Sequence, residues 1–308
     1  MSPAFPMVYS DGVLRARSTS DPVVALESTV ITHGLPYPEN LKLAQDMEAD
    51  VTAGGAFPAT IALLDGKIQV GLNASQLEQL ATAKDAIKVS RRDFGLALAR
   101  GIPGGTTVAG TLHAAHLAGI QVFATGGIGG VHRNAPFDVS ADLIELGRSP
   151  LVVVCAGAKS ILDLPATLEV LETQGVMVIG YQTDEFPAFF SRSSGLKLNA
   201  RSDSPQEIAA IAKAHWQSGI SGAILVANPP PFESALPLDE IEKVILKAIH
   251  AAEAKGIYGS AATPFLLSHI NKLTRGQSLQ TNLALLRSNA KLAAEIAVAL
   301  TPARSVTI

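Results

Sequence analysis

Short apolar runs of strand length alternate along the chain with longer stretches whose apolar positions recur at helical spacing. The runs at 23–26, 87–89, 121–125, 151–155, 176–179 and 223–226 predict strands. Between them, Leu41, Ala44, Met47 and Val51 mark one helix, with Pro38 suited to its first turn. Further helices are predicted at about 93–100, 104–116, 163–173, 204–216, 238–255, 264–274 and 279–300, with a short one opened by Ser140-Ala-Asp142. Ser90-Arg-Arg-Asp93 has the form of a capping box, and Ser204-Pro-Gln-Glu207 caps a helix. Asp65-Gly66 between two alternating segments is a hairpin signal, because both turn residues tolerate positive φ. Strands alternating with helices imply right-handed βαβ units, so the pattern predicts an α/β/α sandwich with a mainly parallel sheet and a grafted β-hairpin. Residues 1–20 are spotted with Pro and Ser and show no period, which predicts a flexible N-terminal arm before a single domain over 21–308.

The most informative run is Leu151-Val-Val-Val-Cys155, stopped at Gly157 and followed by Lys159. An unbroken apolar strand is covered on both faces, and open α/β sheets bind ligands outside the carboxyl ends of such strands. A lysine held there near apolar surface can lose its proton and attack a carbonyl carbon. The plain alternative is a strand-end lysine whose ammonium reaches water.

Composition narrows the partners. With 308 residues, 47% apolar and 17% charged, the chain has enough apolar material for a large core. A net charge of −3 and no Lys/Arg-rich tract with interleaved aromatics argue against a nucleic-acid polymer as partner. One cysteine, inside the apolar strand, gives neither an internal disulfide nor a thiolate metal cluster. No long apolar span or signal segment is present, which predicts a cytoplasmic protein without a membrane partner.

Several polar clusters fall at carboxyl ends of predicted strands: Glu27, Lys88, the loop from Gly126 to Arg133 with Asp138 to Asp142 behind it, Lys159 and Asn228. In a parallel sheet these share one edge. The glycine loop lacks the dinucleotide fingerprint, since His132 stands where the third glycine belongs, but its N–H groups could hold an anion. Arg91 and Arg92 suit either a phosphate or a solvated face, Asp142 suits a helix cap, and His33 and His132 suit loop hydrogen bonds as well as catalysis. Asp138 alone is a poor metal site unless the ion keeps most of its water. These parts together suggest an enzyme that acts on a small phosphorylated or hydroxylated substrate through a lysine imine and a carboxylate acid/base.

Longer motifs sharpen this. Glu27-Ser-Thr-Val-Ile-Thr-His-Gly-Leu-Pro-Tyr-Pro-Glu-Asn40, Gly55-Ala-Phe-Pro-Ala-Thr-Ile61 and Lys88-Val-Ser-Arg-Arg-Asp93 are followed by Gly126-Gly-Ile-Gly-Gly-Val-His-Arg133 and Phe137-Asp-Val-Ser-Ala-Asp-Leu143. Cys155-Ala-Gly-Ala-Lys-Ser-Ile-Leu-Asp163 and Thr263-Pro-Phe-Leu-Leu267 complete the set. Together they resemble the pseudouridine-5′-phosphate glycosidases, also called the indigoidine synthase A-like family, from about residue 22 to 300. The resemblance implies a trimeric, Mn²⁺-dependent enzyme that reversibly cleaves the C–C glycosidic bond of pseudouridine 5′-phosphate to uracil and ribose 5-phosphate. It implies Lys159 as the imine-forming nucleophile and Glu27 as proton donor and acceptor. It further implies substrate contacts at Lys88, Val108, His132, Ser140, Ala141, Asp142 and Asn282, with the metal at Asp138. Asn134, Pro136 and Ser260 depart from the family pattern, which bears on fine substrate contacts. No fused sugar kinase is expected after residue 300, so a separate kinase would supply the phosphorylated substrate. An aldolase-type enzyme on another sugar phosphate, a non-catalytic sugar-phosphate binder and a role in pigment biosynthesis remain as alternatives.

Overall fold

The computed structural model describes residues 7–133, 135–257 and 262–302, the side chain of Pro136 excepted. The departures Asn134 and Ser260 therefore lie outside the described residues. The first third of the chain forms β1 (Met7–Tyr9), α1 (Asp11–Thr19), β2 (Val23–Leu26), α2 (Glu39–Ala53), β3 (Phe57–Leu64), β4 (Lys67–Val70), α3 (Ala74–Thr82), β5 (Ile87–Val89) and α4 (Phe94–Arg100). Next come β6 (Gly104–Thr106), α5 (Val108–Ala118), β7 (Val122–Ala124), β8 (Val131–His132), β9 (Ala135–Val139), α6 (Ala141–Leu146), β10 (Val152–Cys155) and β11 (Leu162–Asp163). The chain continues through α7 (Leu164–Thr173), β12 (Met177–Tyr181), β13 (Arg201–Ser202), α8 (Pro205–Gln217), β14 (Ile224–Ala227), α9 (Leu238–Ala254), α10 (Ala262–Leu273) and α11 (Gln277–Leu300).

The central sheet runs β1-β4-β3-β2-β7-β10-β14-β12-β13, and every neighbouring pair from β3 to β13 along this path is parallel. The hairpin is present as expected: β3 and β4 pair antiparallel, and Asp65 and Gly66 both take positive φ, 52° and 69°. β7, β10 and β14 are buried along their whole length. Such strands need cover on both faces. One cover is α11, which packs on β2, β7 and β10 and against α2 and α8, while α5 packs on β2, β3 and β4 and against α6. Cys155 lies at the centre of this core, and burial pushes its thiol up to about 12, so it acts as packing and not as a nucleophile.

Two expectations need correction. Residues 7–19 are not a loose arm: β1 pairs with the open edge of β4, Met7 opposite Ile68 and Tyr9 opposite Val70. Ser10 then caps α1, whose Val13 and Ala16 are buried. Nearly half of these positions are apolar, but they show no sustained period; the unpaired edge of β4 supplies the order. Residues 104–106 do not open a helix either. They form β6, which pairs Gly105 with Ala62 and Gly104 with Leu63 along the edge of β3 that β2 leaves free, and Thr107 caps the helix that follows.

This second point redirects Lys88. β5 is parallel to β6, and β6 is antiparallel to β3, so β5 runs opposite to the main sheet. Lys88 thus reaches the site from a strand of opposite direction and not from a shared carboxyl edge. Among the described residues, no helix is long and apolar enough to cross a membrane.

Candidate active site

The carboxyl ends of β2, β7 and β10 bring Glu27, Thr125 and the Lys159 turn together. Each end is fixed by backbone bonding. Beyond β2, Ser28 is locked to β6: its N–H donates to Thr106 O (3.3 Å), and its hydroxyl accepts from Thr106 N (2.9 Å). After β10 the chain turns at Gly157, whose φ of +82° and close approach to Pro187 O leave no room for a Cβ. The Lys159 turn is knitted to the glycine loop, with Ile128 N donating to Gly157 O (3.1 Å) and Lys159 N to Ile128 O (3.1 Å).

Between these ends lies a cavity of about 90 Å³, lined by Glu27, Lys88, Lys159, Asn282 and His33 on its polar side. Val30, Phe189, Leu267 and Leu286 supply apolar wall. Four of the residues expected at the site, Glu27, Lys88, Lys159 and Asn282, therefore share one cavity. Glu27 shows some accessible surface to the cavity but is packed closely by protein on all other sides. That burial raises its carboxyl above the ordinary 4.5; Lys159, the Thr125 hydroxyl and Lys88 oppose the rise, and Asp142 adds to it. Burial first, and Lys159 second, lower the Lys88 ammonium, with Glu27 opposing. His33, whose Nδ1 lies 2.7 Å from Thr32 Oγ1, is lowered by burial and by Lys88, so it faces the cavity as a neutral imidazole at neutral pH.

The remaining expected residues sit elsewhere. Ser140 caps α6, Ala141 is that helix's first residue, and Val108 is the first residue of α5. Asp142, only 6% exposed, holds the two helix starts and the glycine loop together: Oδ1 accepts from Ala109 N (2.9 Å) and Oδ2 from Gly129 N (2.8 Å). A Cβ on Gly129 would stand 2.2 Å from Ser140 Oγ, which explains a glycine there. The N–H groups of Ile128, Gly129 and Val131 are thus spent inside the protein, and the loop is a structural knot more than an anion cradle. Asp142→Ala would strand two buried N–H groups, and it is expected to lower stability by about 2–5 kcal/mol, read as a fall in Tm.

His132 and Asp138 lie outside the cavity on the β8–β9 hairpin, with His132 Nδ1 4.0 Å from Asp138 Oδ2 and the Asp138 side chain 48% exposed. Among the described residues, no three His, Cys, Asp or Glu side chains gather as a metal cage. Arg91 is paired with Glu145 at 2.8 Å, and the exposed Arg92 lies 3.6 Å from Asp93.

Sequence reasoning missed Thr125, which donates to Glu27 Oε1, and Asn289, which is wholly buried and donates to Thr125 O (2.8 Å). A lone Asn among Leu285, Leu286, Ala290 and Ala293 on the buried face of α11 was the available signal. Phe189, held at φ 59° against the glycine loop, had none.

The chain matches the family model described as indigoidine synthase A like protein over residues 12–299. It is 57% identical over 296 residues to the pseudouridine-5′-phosphate glycosidase of Herpetosiphon aurantiacus, covering 96% of this chain and 98% of that one. It is 56% identical over 287 residues to the protein of the same name from Solibacter usitatus, covering 92% and 96%. Among solved structures, the prealnumycin C-glycosynthase AlnA in complex with ribulose 5-phosphate superposes with a TM-score of 0.89 at 40% identity, covering 97% of this chain and 98% of that one. An indigoidine synthase A-like protein from Thermotoga maritima gives 0.88 at 37% identity, with 97% of each chain covered. The cavity residues, the fold and these near-full-length matches agree: the chain belongs to the indigoidine synthase A-like family, the family of the pseudouridine-5′-phosphate glycosidases.

Proposed function

We propose that this protein reversibly cleaves the C–C glycosidic bond of pseudouridine 5′-phosphate, yielding uracil and ribose 5-phosphate, with Lys159 as nucleophile and Glu27 as acid/base. The observation that carries the reading is the meeting of Glu27, Lys88 and Lys159 in one cavity of a chain 57% identical to a protein of that name. Support for a pentose phosphate comes from AlnA, solved with ribulose 5-phosphate.

The chemistry explains why a lysine is needed. A C-glycoside has no leaving oxygen to protonate, so a pair of carboxylates acting on a glycosidic oxygen has nothing to act upon. In the proposed path the Lys159 amine bonds to C1 of the ribose as the ring C–O bond breaks and the ring oxygen takes a proton. Glu27 then protonates C5 of uracil, and the C1–C5 electron pair stays with the base while nitrogen becomes an iminium. Water adds to that iminium, Glu27 takes back a proton, and ribose 5-phosphate leaves with the amine restored. Lys88 lines the same cavity and can hold sugar oxygens. Val108, Ser140 and Ala141 offer the starts of two helices, with Asp142 fixing them, as the phosphate and sugar contacts. Asn282 serves from the cavity wall, and His132 from the hairpin.

The reading carries with it a homotrimer and a Mn²⁺ ion. Asp138 with nearby His132 fits an ion that keeps most of its water, and not a full protein cage. Bound there, it would supply positive charge for substrate oxygens. Mn²⁺ titration of parent and Asp138→Ala proteins by electron spin resonance tests the site, and light scattering tests the trimer.

The deciding experiment is borohydride reduction with ribose 5-phosphate, followed by peptide mass mapping, beside ultraviolet assay of uracil release. A pentose-phosphate adduct on Lys159 and release of uracil support the reading; an enzyme that traps the sugar but frees no uracil is an aldolase-type relative. The pH profile follows from Glu27. Cleavage needs its protonated form, so activity falls as pH rises through its folded-state pKa. Because burial raises that pKa, this limb is expected above pH 4.5. Synthesis, which starts from the carboxylate, should show the opposite limb at the same midpoint.

A further inference from the structure

The lysines are not the only groups that act on Glu27. Thr125, wholly buried directly after β7, donates its hydroxyl hydrogen to Glu27 Oε1. Thr125 is itself fixed from two sides: its N–H donates to Val154 O (3.0 Å), and its carbonyl accepts from Asn289 Nδ2 (2.8 Å). Asn289 Oδ1 accepts in turn from Asn228 Nδ2 (2.9 Å), and the Asn228 N–H donates to Cys155 O (2.8 Å). The chain of bonds therefore closes on β10, the strand that delivers Lys159. Its side chains come from β7, β14 and α11, three elements that sequence order does not bring together.

We propose that Thr125 is the positioning residue for proton transfer: by donating to Oε1 it leaves Oε2 as the oxygen that gives and takes the proton. The Asn228–Asn289 pair keeps that direction constant relative to Lys159. The inference deepens the proposed function and rests on it.

The electrostatic consequence has a definite sign. A hydrogen bond donated to a carboxylate favours its charged form. Thr125 thus acts with Lys159 and Lys88 against burial and Asp142, the other charged groups that act on Glu27; His33 faces Lys88. Without the hydroxyl, Glu27 holds its proton to higher pH and its carboxyl is free to rotate. Donation of the proton to C5 suffers most, because the acid is then both weaker and less well aimed.

Thr125→Val keeps the shape and removes only the donor, and Thr125→Ser restores it. Two readouts separate positioning from packing: kcat and KM for uracil release across pH, and ¹³C-glutamate titration of the ligand-free protein, with Glu27→Gln assigning the signal. For Thr125→Val, kcat is expected to fall about 10-fold or more, with KM changed by less than about twofold. The Glu27 midpoint should rise by about half a pH unit or more. Thr125→Ser should recover to within about threefold of the parent kcat. A Val variant with the parent's kcat and Glu27 midpoint overturns the proposal, as does a loss of activity without a shifted midpoint that Ser fails to rescue. Absence of uracil release from the parent overturns the proposed function instead. The titration, which needs no turnover, then decides the Thr125 contact alone.

Discussion

Lys159→Ala is expected to reduce uracil release by on the order of 10⁴-fold or more while leaving the fold intact, because in the proposed path it removes bond formation to C1, which no neighbour is placed to replace. Lys88 is the obvious substitute amine, since it lines the same cavity and burial lowers its ammonium. It comes, however, from β5, a strand of opposite direction, and approaches from another side. The Lys159 backbone is held by Ile128 O, and its side chain ends in the cavity, so truncation opens space to solvent without breaking the core. Lys159→Arg makes the sharper variant: it keeps the positive charge beside Glu27 but forms no imine. Both variants should lose the borohydride-trapped adduct and keep the parent Tm within a few degrees. Near-normal turnover by either would sink the imine mechanism, and a new adduct on Lys88 would transfer the role.

Glu27→Gln is expected to stop C–C cleavage, with a loss of about 10³-fold, while ribose 5-phosphate still becomes trapped on Lys159. Glutamine still accepts the Thr125 hydrogen bond but cannot exchange a proton with carbon. Separation of the two readouts is the informative result. Parent-like uracil release from this variant would remove Glu27 as the acid. Loss of trapping together with release would instead extend its role to imine formation.

The elements that carry local signals were legible in the chain. The Asp65-Gly66 turn, the caps at Ser90, Ser140, Asp163 and Ser204, and the wholly apolar β10 and β14 each need only their own residues and immediate neighbours. The ordered start of the chain was not legible, because β1 exists only where the edge of β4 is open to receive it. Nor was β6: Gly104 and Gly105 become a strand because β2 ends at Leu26 and leaves the edge of β3 free. Lys88 shows the mixture well. Its strand was readable, but the direction of that strand follows from pairing with β6.

At the site, the same division holds. Glu27 and Lys159 could be named because a charged residue at the end of an apolar run is a one-dimensional pattern, and the longer motifs around them are specific to a family. Asp142 could be named as a polar residue of interest, but its two bonds, to Ala109 N and Gly129 N, join segments that only folding brings together. Asn228 could be named as a polar residue at a strand end, but its link through Asn289 to Thr125 could not. Their importance lies in bonds spanning β7, β14 and α11, made within a buried core where a polar group left unpaired is costly.

The sequence by itself determined the alternation of strands and helices, the hairpin, the family and two of the charged residues that line the cavity, since all of these rest on periodicity, local turn chemistry or contiguous motifs. Only the tertiary structure decided which strand edges remain open, from which direction Lys88 arrives, and how burial set against two ammonium groups and the Thr125 hydroxyl leaves Glu27 holding its proton above the ordinary carboxylate range. Those outcomes depend on distances between groups far apart in the chain, and burial and Coulomb interaction are functions of distance in space.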